Sequence, residues 1–213
     1  MKISFARSLV LIALVSFQAN ASSLVDGDAA AGKNKAATCA ACHGAEGNSA
    51  NPAWPNIAGQ NAKYLVAQLK AVQPGENGEP ALRSDPLMTS MAAPLSDEDI
   101  RDLAVYFEGL PTAANSVADD STVARAEALY RGGNEEERAS ACLACHGPTG
   151  RGNPAATYPA LNGQHAVYTA KQLRDYASGA RKSDGKTNIM RDIASRLSNE
   201  DIEAIASYVQ GLK

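Results

Sequence analysis

Between Leu95 and Leu110 the apolar residues Ile100, Leu103, Ala104 and Phe107 recur at i, i+3, i+4 and i+7, one face of a helix. Ser96, with Asp99 three residues later, predicts a capping box at the start of that helix, and Gly109 suits its end. Ser198, Asp201, Ile202, Ile205, Ala206, Val209 and Gly211 repeat the arrangement between Leu197 and Leu212. The spacing predicts further helices from about Asn61 to Val72 and from His165 to Ser178. Another is expected near Ala29–Thr38, with a counterpart near Thr122–Tyr130. No segment alternates with the period of a half-buried strand, so the expected fold class is all-α.

The final helices belong to a longer repeat. Displaced by 102–104 residues, "WPNIAGQ" (Trp54–Gln60) meets "YPALNGQ" (Tyr158–Gln164), and Tyr64, Gln68 and Leu69 meet Tyr168, Gln172 and Leu173. Between the copies, Pro111–Thr122 is small, polar and aperiodic, the character of a linker. The expected organisation is a unit at 22–111, a linker at 112–122 and a second unit at 123–213.

Residues 1–21 follow a different pattern. Lys2 and Arg7 flank or precede the apolar run Ser8–Phe17, and Ala19-Asn20-Ala21 forms a small-x-small cleavage site. An apolar run of about ten residues falls short of the roughly 20 that span a bilayer. A cleaved export signal is therefore expected, and no later segment is long and apolar enough to cross a membrane, so the remainder should be soluble and exported.

Composition adds two points. Aromatic residues are 5% of the chain, with one Trp and three Phe, which is little large apolar material for two small domains. Domains of this size need reinforcement, and a large apolar cofactor would provide it. The net charge of −3 also hides an asymmetry: residues 22–111 hold six Lys/Arg and eleven Asp/Glu (−5), and residues 123–213 hold twelve and ten (+2). Opposite signs suit two docking partners or the steering of one end towards a charged redox protein, while an acidic exported chain argues against nucleic acid.

All four cysteines lie in two C-x-x-C-H motifs, Cys39, Cys42 and His43 in "CAACH", and Cys142, Cys145 and His146 in "CLACH". This is the attachment signature of haem c: two thiols form thioethers with the porphyrin and the histidine offers a nitrogen to iron. A zinc site built from both pairs would leave the histidines unexplained and span the linker. A thioredoxin-like pair would need a βαβ setting that is missing. For the sixth iron ligand, Met190 is the only methionine of the second unit, while the first offers Met88 and Met91. Met88 precedes Leu95 by seven residues as Met190 precedes Leu197, so Met88 is the expected ligand and Met91 an apolar contact.

Other repeated residues are candidates to support the site. A carbonyl at Pro55 or Pro159 is placed to accept a hydrogen bond from the free ring nitrogen of His43 or His146, unless these prolines only shape the turn. Gln60, Tyr64, Gln164 and Tyr168 either bond haem propionates or pack at a domain interface. His165 stands where the first copy has Asn61 and reads as a surface or helix-start residue.

These residues together resemble the dihaem cytochrome c4 family of bacteria, two class I cytochrome c domains in tandem behind an export signal. The likeness rests on "CAACH" and "CLACH", the "WPNIAGQ" and "YPALNGQ" turns, the methionine positions and the paired final helices, and it covers essentially all of the chain after the signal. It implies two tandem cytochrome c-type helical domains, each wrapped around one covalently attached haem, packed face to face with propionates near the interface. The implied role is a periplasmic electron carrier, soluble or loosely held at the membrane, monomeric and without catalytic activity. A membrane oxidase and an upstream donor are the implied partners. A dihaem subunit of a larger dehydrogenase, such as the flavoprotein that oxidises sulfide, shares the architecture and is the alternative. A dihaem peroxidase would need an open or displaceable ligand, against which the paired methionines count.

Overall fold

The computed structural model describes residues 23–75 and 78–213, so the expected signal segment 1–21 lies outside the described residues. The first unit contains α1 (Ala29–Lys35), α2 (Ala37–His43), α3 (Ala62–Val72), α4 (Pro86–Ala92) and α5 (Asp97–Glu108). The second contains α6 (Val123–Gly132), α7 (Leu143–His146), α8 (Ala166–Ser178), α9 (Ile189–Ala194) and α10 (Asn199–Gln210). Among the described residues there is no strand, only isolated bridges at Arg83–Arg181, Asn134–Ala139 and Asn153–Tyr158. No described helix is long and apolar enough to cross a membrane.

The final helix of each unit is the packing axis: α5 lies against α1 and α3, and α10 against α6 and α8. Their starts are fixed by the capping boxes, Ser96 with Asp99 and Ser198 with Asp201. Their ends reach back to cap a neighbour. Asn61 and His165 make no side-chain cap, and instead Glu108 accepts from the Ala62 N–H and Gln210 from the Ala166 N–H, both at 2.8 Å. The apolar stripe of α5 closes one core with Ala36, Ala62, Leu65, Leu103, Ala104 and Phe107, against which Cys39 packs. That of α10 closes another with Ala126, Leu129, Tyr130, Ile205, Tyr208 and Val209, against which Cys142 packs.

Two details differ from the periodicity. The helix expected near Ala29–Thr38 breaks at Ala36, and a new helix, α2, runs through the cysteine motif to His43. The short helices α4 and α9, of seven and six residues, carry the methionines and are too short to show a helical period.

Candidate haem sites

Each cysteine motif ends in a histidine held from behind. His43 closes α2 and His146 closes α7, and a glycine with positive φ follows each, Gly44 at 80° and Gly147 at 78°. This left-handed turn suits glycine, and at Gly44 a Cβ would also lie 2.1 Å from the Asn48 carbonyl oxygen. The chain thereby folds back so that His43 Nδ1 sits 2.8 Å from the Pro55 carbonyl and His146 Nδ1 3.0 Å from the Pro159 carbonyl. A carbonyl only accepts, so Nδ1 carries the proton and Nε2 keeps a lone pair, the form that binds a metal. Burial lowers the pKa of both rings and reinforces the neutral form; for His43 the Arg83 charge adds to this.

The four thiols are free and half-buried. Burial pushes Cys142 up to about 11 and raises Cys39 as well, the reverse of the lowering that activates a redox thiol. The two pairs sit on different units, and no group of three or more His, Cys, Asp or Glu among the described residues is placed to hold a metal ion. Unpaired thiols with two residues between them, beside an imidazole with a free Nε2, fit a thioether-linked haem and not a zinc cluster.

Met88 and Met190 are half-buried on α4 and α9, while Met91 is 38% exposed. Asp85 caps α4 through the Met88 N–H at 3.1 Å, with Pro86 in the first turn, and Thr89 Oγ1 ties the helix to the Val72 carbonyl at 2.8 Å. The start of α9 is built otherwise: Asn188 is left-handed (φ 55°) and Asp184 takes both the N–H and the guanidinium of Arg191.

Gln60 and Gln164 lie at the boundary between the units and grip each other's loops. Gln60 donates to the Ala160 carbonyl and accepts from the Ala160 N–H, both at 2.8 Å. Gln164 does the same to Asn56, at 2.8 and 2.9 Å. Asn56 and Ala160 directly follow the prolines behind the histidines, so each unit clasps the loop that orients the other's imidazole. Asn61 donates to the Tyr158 carbonyl at 2.7 Å, and His165 Nε2 lies 2.9 Å from the Ser49 carbonyl. His165 is thus a helix-start residue that also bridges the units. Tyr64 and Tyr168 accept from Arg181 and Arg83, each at 2.7 Å and each across the boundary. These arginines were not among the residues singled out from the sequence. They hide because they sit 98 residues apart, outside the 102–104 register of the surrounding repeat.

The cytochrome c family model matches the chain twice, at residues 29–111 and 124–213. The cytochrome c4 of Azotobacter vinelandii is 50% identical over 189 residues, covering 87% of this chain and 90% of that one. The crystal structure of reduced recombinant cytochrome c4 from Pseudomonas stutzeri superposes with a TM-score of 0.83 at 46% identity, covering 88% of this chain and all of that one. A thiosulfate dehydrogenase electron acceptor of Stutzerimonas stutzeri is 36% identical over 186 residues, 83% of this chain and 80% of that one. Two helical cytochrome c domains, two haem c groups and a role in electron transfer follow from this kinship, and the chain belongs to the dihaem cytochrome c4 family.

Proposed function

We propose that the chain is a periplasmic one-electron carrier in which each iron is bound by a histidine and a methionine. Cys39 and Cys42 would tether one haem, with His43 and Met88 offering the nitrogen and sulfur that bind its iron; Cys142, Cys145, His146 and Met190 would serve the other. The observation that carries the reading is the repetition of α4 and α9, which place a half-buried methionine at matching positions beyond matching histidines. When bound, each haem supplies an iron that alternates between ferrous and ferric states. The protein's part is to keep both ligands in place: the Pro55 and Pro159 carbonyls hold the imidazoles, and Gln60 and Gln164 clamp the loops behind them. Such a frame leaves little to rearrange as an electron arrives or departs.

Export by residues 1–21, with units at 22–111 and 123–213 joined by 112–122, completes this reading. The acidic first unit and mildly basic second suit different partners, a donor upstream and a membrane oxidase downstream. Likeness to the thiosulfate dehydrogenase electron acceptor supports a second reading, a carrier that takes its electrons from a dehydrogenase. Stable co-purification with such an enzyme would favour it. Potentiometric titration with optical detection tests the ligand assignment. Two low-spin His/Met waves are expected, and a high-spin haem that binds carbon monoxide on reduction would overturn it. Met88→Leu should abolish one methionine-to-iron charge-transfer band and Met91→Leu neither; the opposite result refutes the choice of Met88.

A further inference from the structure

Arg83 and Arg181 face each other across the boundary as an antiparallel bridge, held by the Lys182 N–H donating to the Leu82 carbonyl at 2.7 Å. Residues directly opposite in such a pair present their side chains to the same face, where like charges destabilise the pairing. Arg181 is only 3% exposed. Its guanidinium donates to Tyr64 Oη at 2.7 Å and Gln68 Oε1 at 2.5 Å on α3, to Gln172 Oε1 at 2.7 Å and to Ser183 Oγ at 2.9 Å. It also lies 4.6 Å from the centre of the Tyr176 ring. Arg83 donates to Tyr168 Oη at 2.7 Å and, at 3.4 Å, to Gln68 Oε1.

None of those partners is a carboxylate; burial pushes the Tyr168 hydroxyl up, but the Arg83 and Arg181 charges outweigh it and hold it below the usual tyrosine range. Arg125, Arg131, Arg174, Arg191 and Arg196 each pair with a carboxylate. Among the described residues neither Arg83 nor Arg181 does. Hydrogen bonds to hydroxyls and amides satisfy some N–H groups but supply no carboxylate, and a buried Arg181 beside a half-buried Arg83 is disfavoured unless anions join them. The flat fork of a guanidinium fits a carboxylate best. Haem brings carboxylates, its propionates, and both arginines stand on the segments that lead into the methionine helices.

We propose that Arg83 and Arg181 form one carboxylate-binding site that takes propionates from both haems, so that each arginine bears on the redox equilibrium of the haem in the other unit as well as its own. This rests on the two-haem reading above. A cation beside a propionate cancels negative charge that would otherwise favour the ferric state. Its loss therefore lowers the potential.

The test uses the full holoprotein and Arg83→Gln, Arg83→Lys and Arg181→Gln variants. Each haem is followed separately through its paramagnetically shifted methyl resonances during redox titration. Arg83→Gln should move both haems towards ferric by about tenfold in the equilibrium, about 59 mV for a one-electron couple, and Arg83→Lys should restore most of it. Contacts between guanidinium protons and propionate methylenes in the unsubstituted protein give a reading that needs no variant, should Arg181→Gln fail to fold. Unchanged potentials in a folded Arg83→Gln protein would reduce the arginines to packing. A shift confined to the haem of the same unit would refute the shared site. Potentials that follow added phosphate at constant ionic strength would assign the site to dissolved anions instead. Absence of His/Met bands in the unsubstituted protein would count against the ligand reading alone, because the potentials still report the cations.

Discussion

The two units fill equivalent space from opposite helices. In the first, Phe107 on α5 presses on the turn at Gly47, its ring 3.0 Å from where a Cβ would stand, and the facing residue is Ala36. In the second, the large ring comes from the other side: Tyr130 at the end of α6 approaches Gly150, and Val209 stands where Phe107 does. What the repeat preserves is volume at the close-packed interior, not the residue that supplies it. The exchange has a chemical consequence. The Tyr130 hydroxyl donates to the Gly147 carbonyl at 2.7 Å, tying the core to the turn behind His146, whereas Phe107 offers no such tie. Charge ties the helix pair in both units: Lys35 on α1 reaches Asp99 and Asp102 on α5, both at 2.8 Å, and Arg125 on α6 reaches Asp201 on α10 at 2.6 Å. The second has Leu129 and Ala204 at the positions of Lys35 and Asp102.

Removing the tyrosine should break the comparison most severely. Tyr130 is fully buried, so Tyr130→Ala should cost about 3–5 kcal/mol, all of it in the second unit. Tyr130→Phe should cost about 1 kcal/mol, the net worth of the hydrogen bond. The only tryptophan, Trp54, reports on the first unit. Urea unfolding of Tyr130→Ala should therefore show helix loss by circular dichroism ahead of the change in Trp54 fluorescence. A single coincident transition would mean that the boundary contacts bind both units into one cooperative block.

The same contrast explains what could be read in advance. The longer helices declared themselves because period and caps agreed, from Ser96 to Gly109 and from Ser198 to Gly211. The cysteine motifs and methionines were legible because the second copy checks the first. Helices α4 and α9 were not, since one and a half turns carry no periodic signal. The arginine bridge was hidden by register: the extra residues between Arg181 and Met190 shift it away from Arg83 in any fixed-offset comparison. Gln60 and Gln164 stood out as repeated, but they recognise backbone, and a backbone partner has no sequence identity to find. Tyr130 was obscured for the opposite reason, because its counterpart in the repeat is an alanine.

Gly109 and Gly211 sharpen the comparison on a smaller scale. Both follow their helix in ordinary right-handed geometry, with φ −75° and −90°, so neither needs glycine for its backbone. They differ in what lies over them. A Cβ at Gly211 would come within 2.4 Å of Val117 Cγ1 and 2.6 Å of the Val117 nitrogen, while one at Gly109 would meet nothing closer than 3.5 Å. The linker is held there by Asp119 N–H donating to Ser207 Oγ at 2.7 Å and Gln210 Nε2 donating to the Ser116 carbonyl at 2.9 Å. Gly211→Ala should accordingly cost about 1–3 kcal/mol through overpacking. Gly109→Ala should stabilise by about 0.4–1 kcal/mol by restricting the unfolded chain. Equal urea midpoints for the two variants would remove the linker from the account.

Acid should separate the units least, and in a fixed direction. Hydrogen bonds from Lys35 first, then from Ser96 at Asp99 and the Asp28 N–H at Asp102, hold these two carboxyls below the usual carboxylate range. In the second unit burial works against Asp201, and the Arg125 and Ser198 hydrogen bonds outweigh it to lower that group, while the Arg196 hydrogen bond lowers Asp192 on α9. A carboxyl whose folded pKa lies below its unfolded value of about 3.9 binds fewer protons folded than unfolded through the interval between them. Its contribution is complete above the unfolded value and is lost as pH falls through the folded one. With Asp99 and Asp102 sharing one ammonium, where Asp201 and Asp192 have a separate arginine each, the first unit should lose more stability than the second as pH falls below about 4. The urea midpoint seen by Trp54 should fall further than the one seen by the second haem. Lys35→Met should return Asp99 and Asp102 towards ordinary titration and erase most of that difference. If the acid-induced fall in the Trp54 midpoint survives Lys35→Met undiminished, the ion pair is not what distinguishes the first unit from the second.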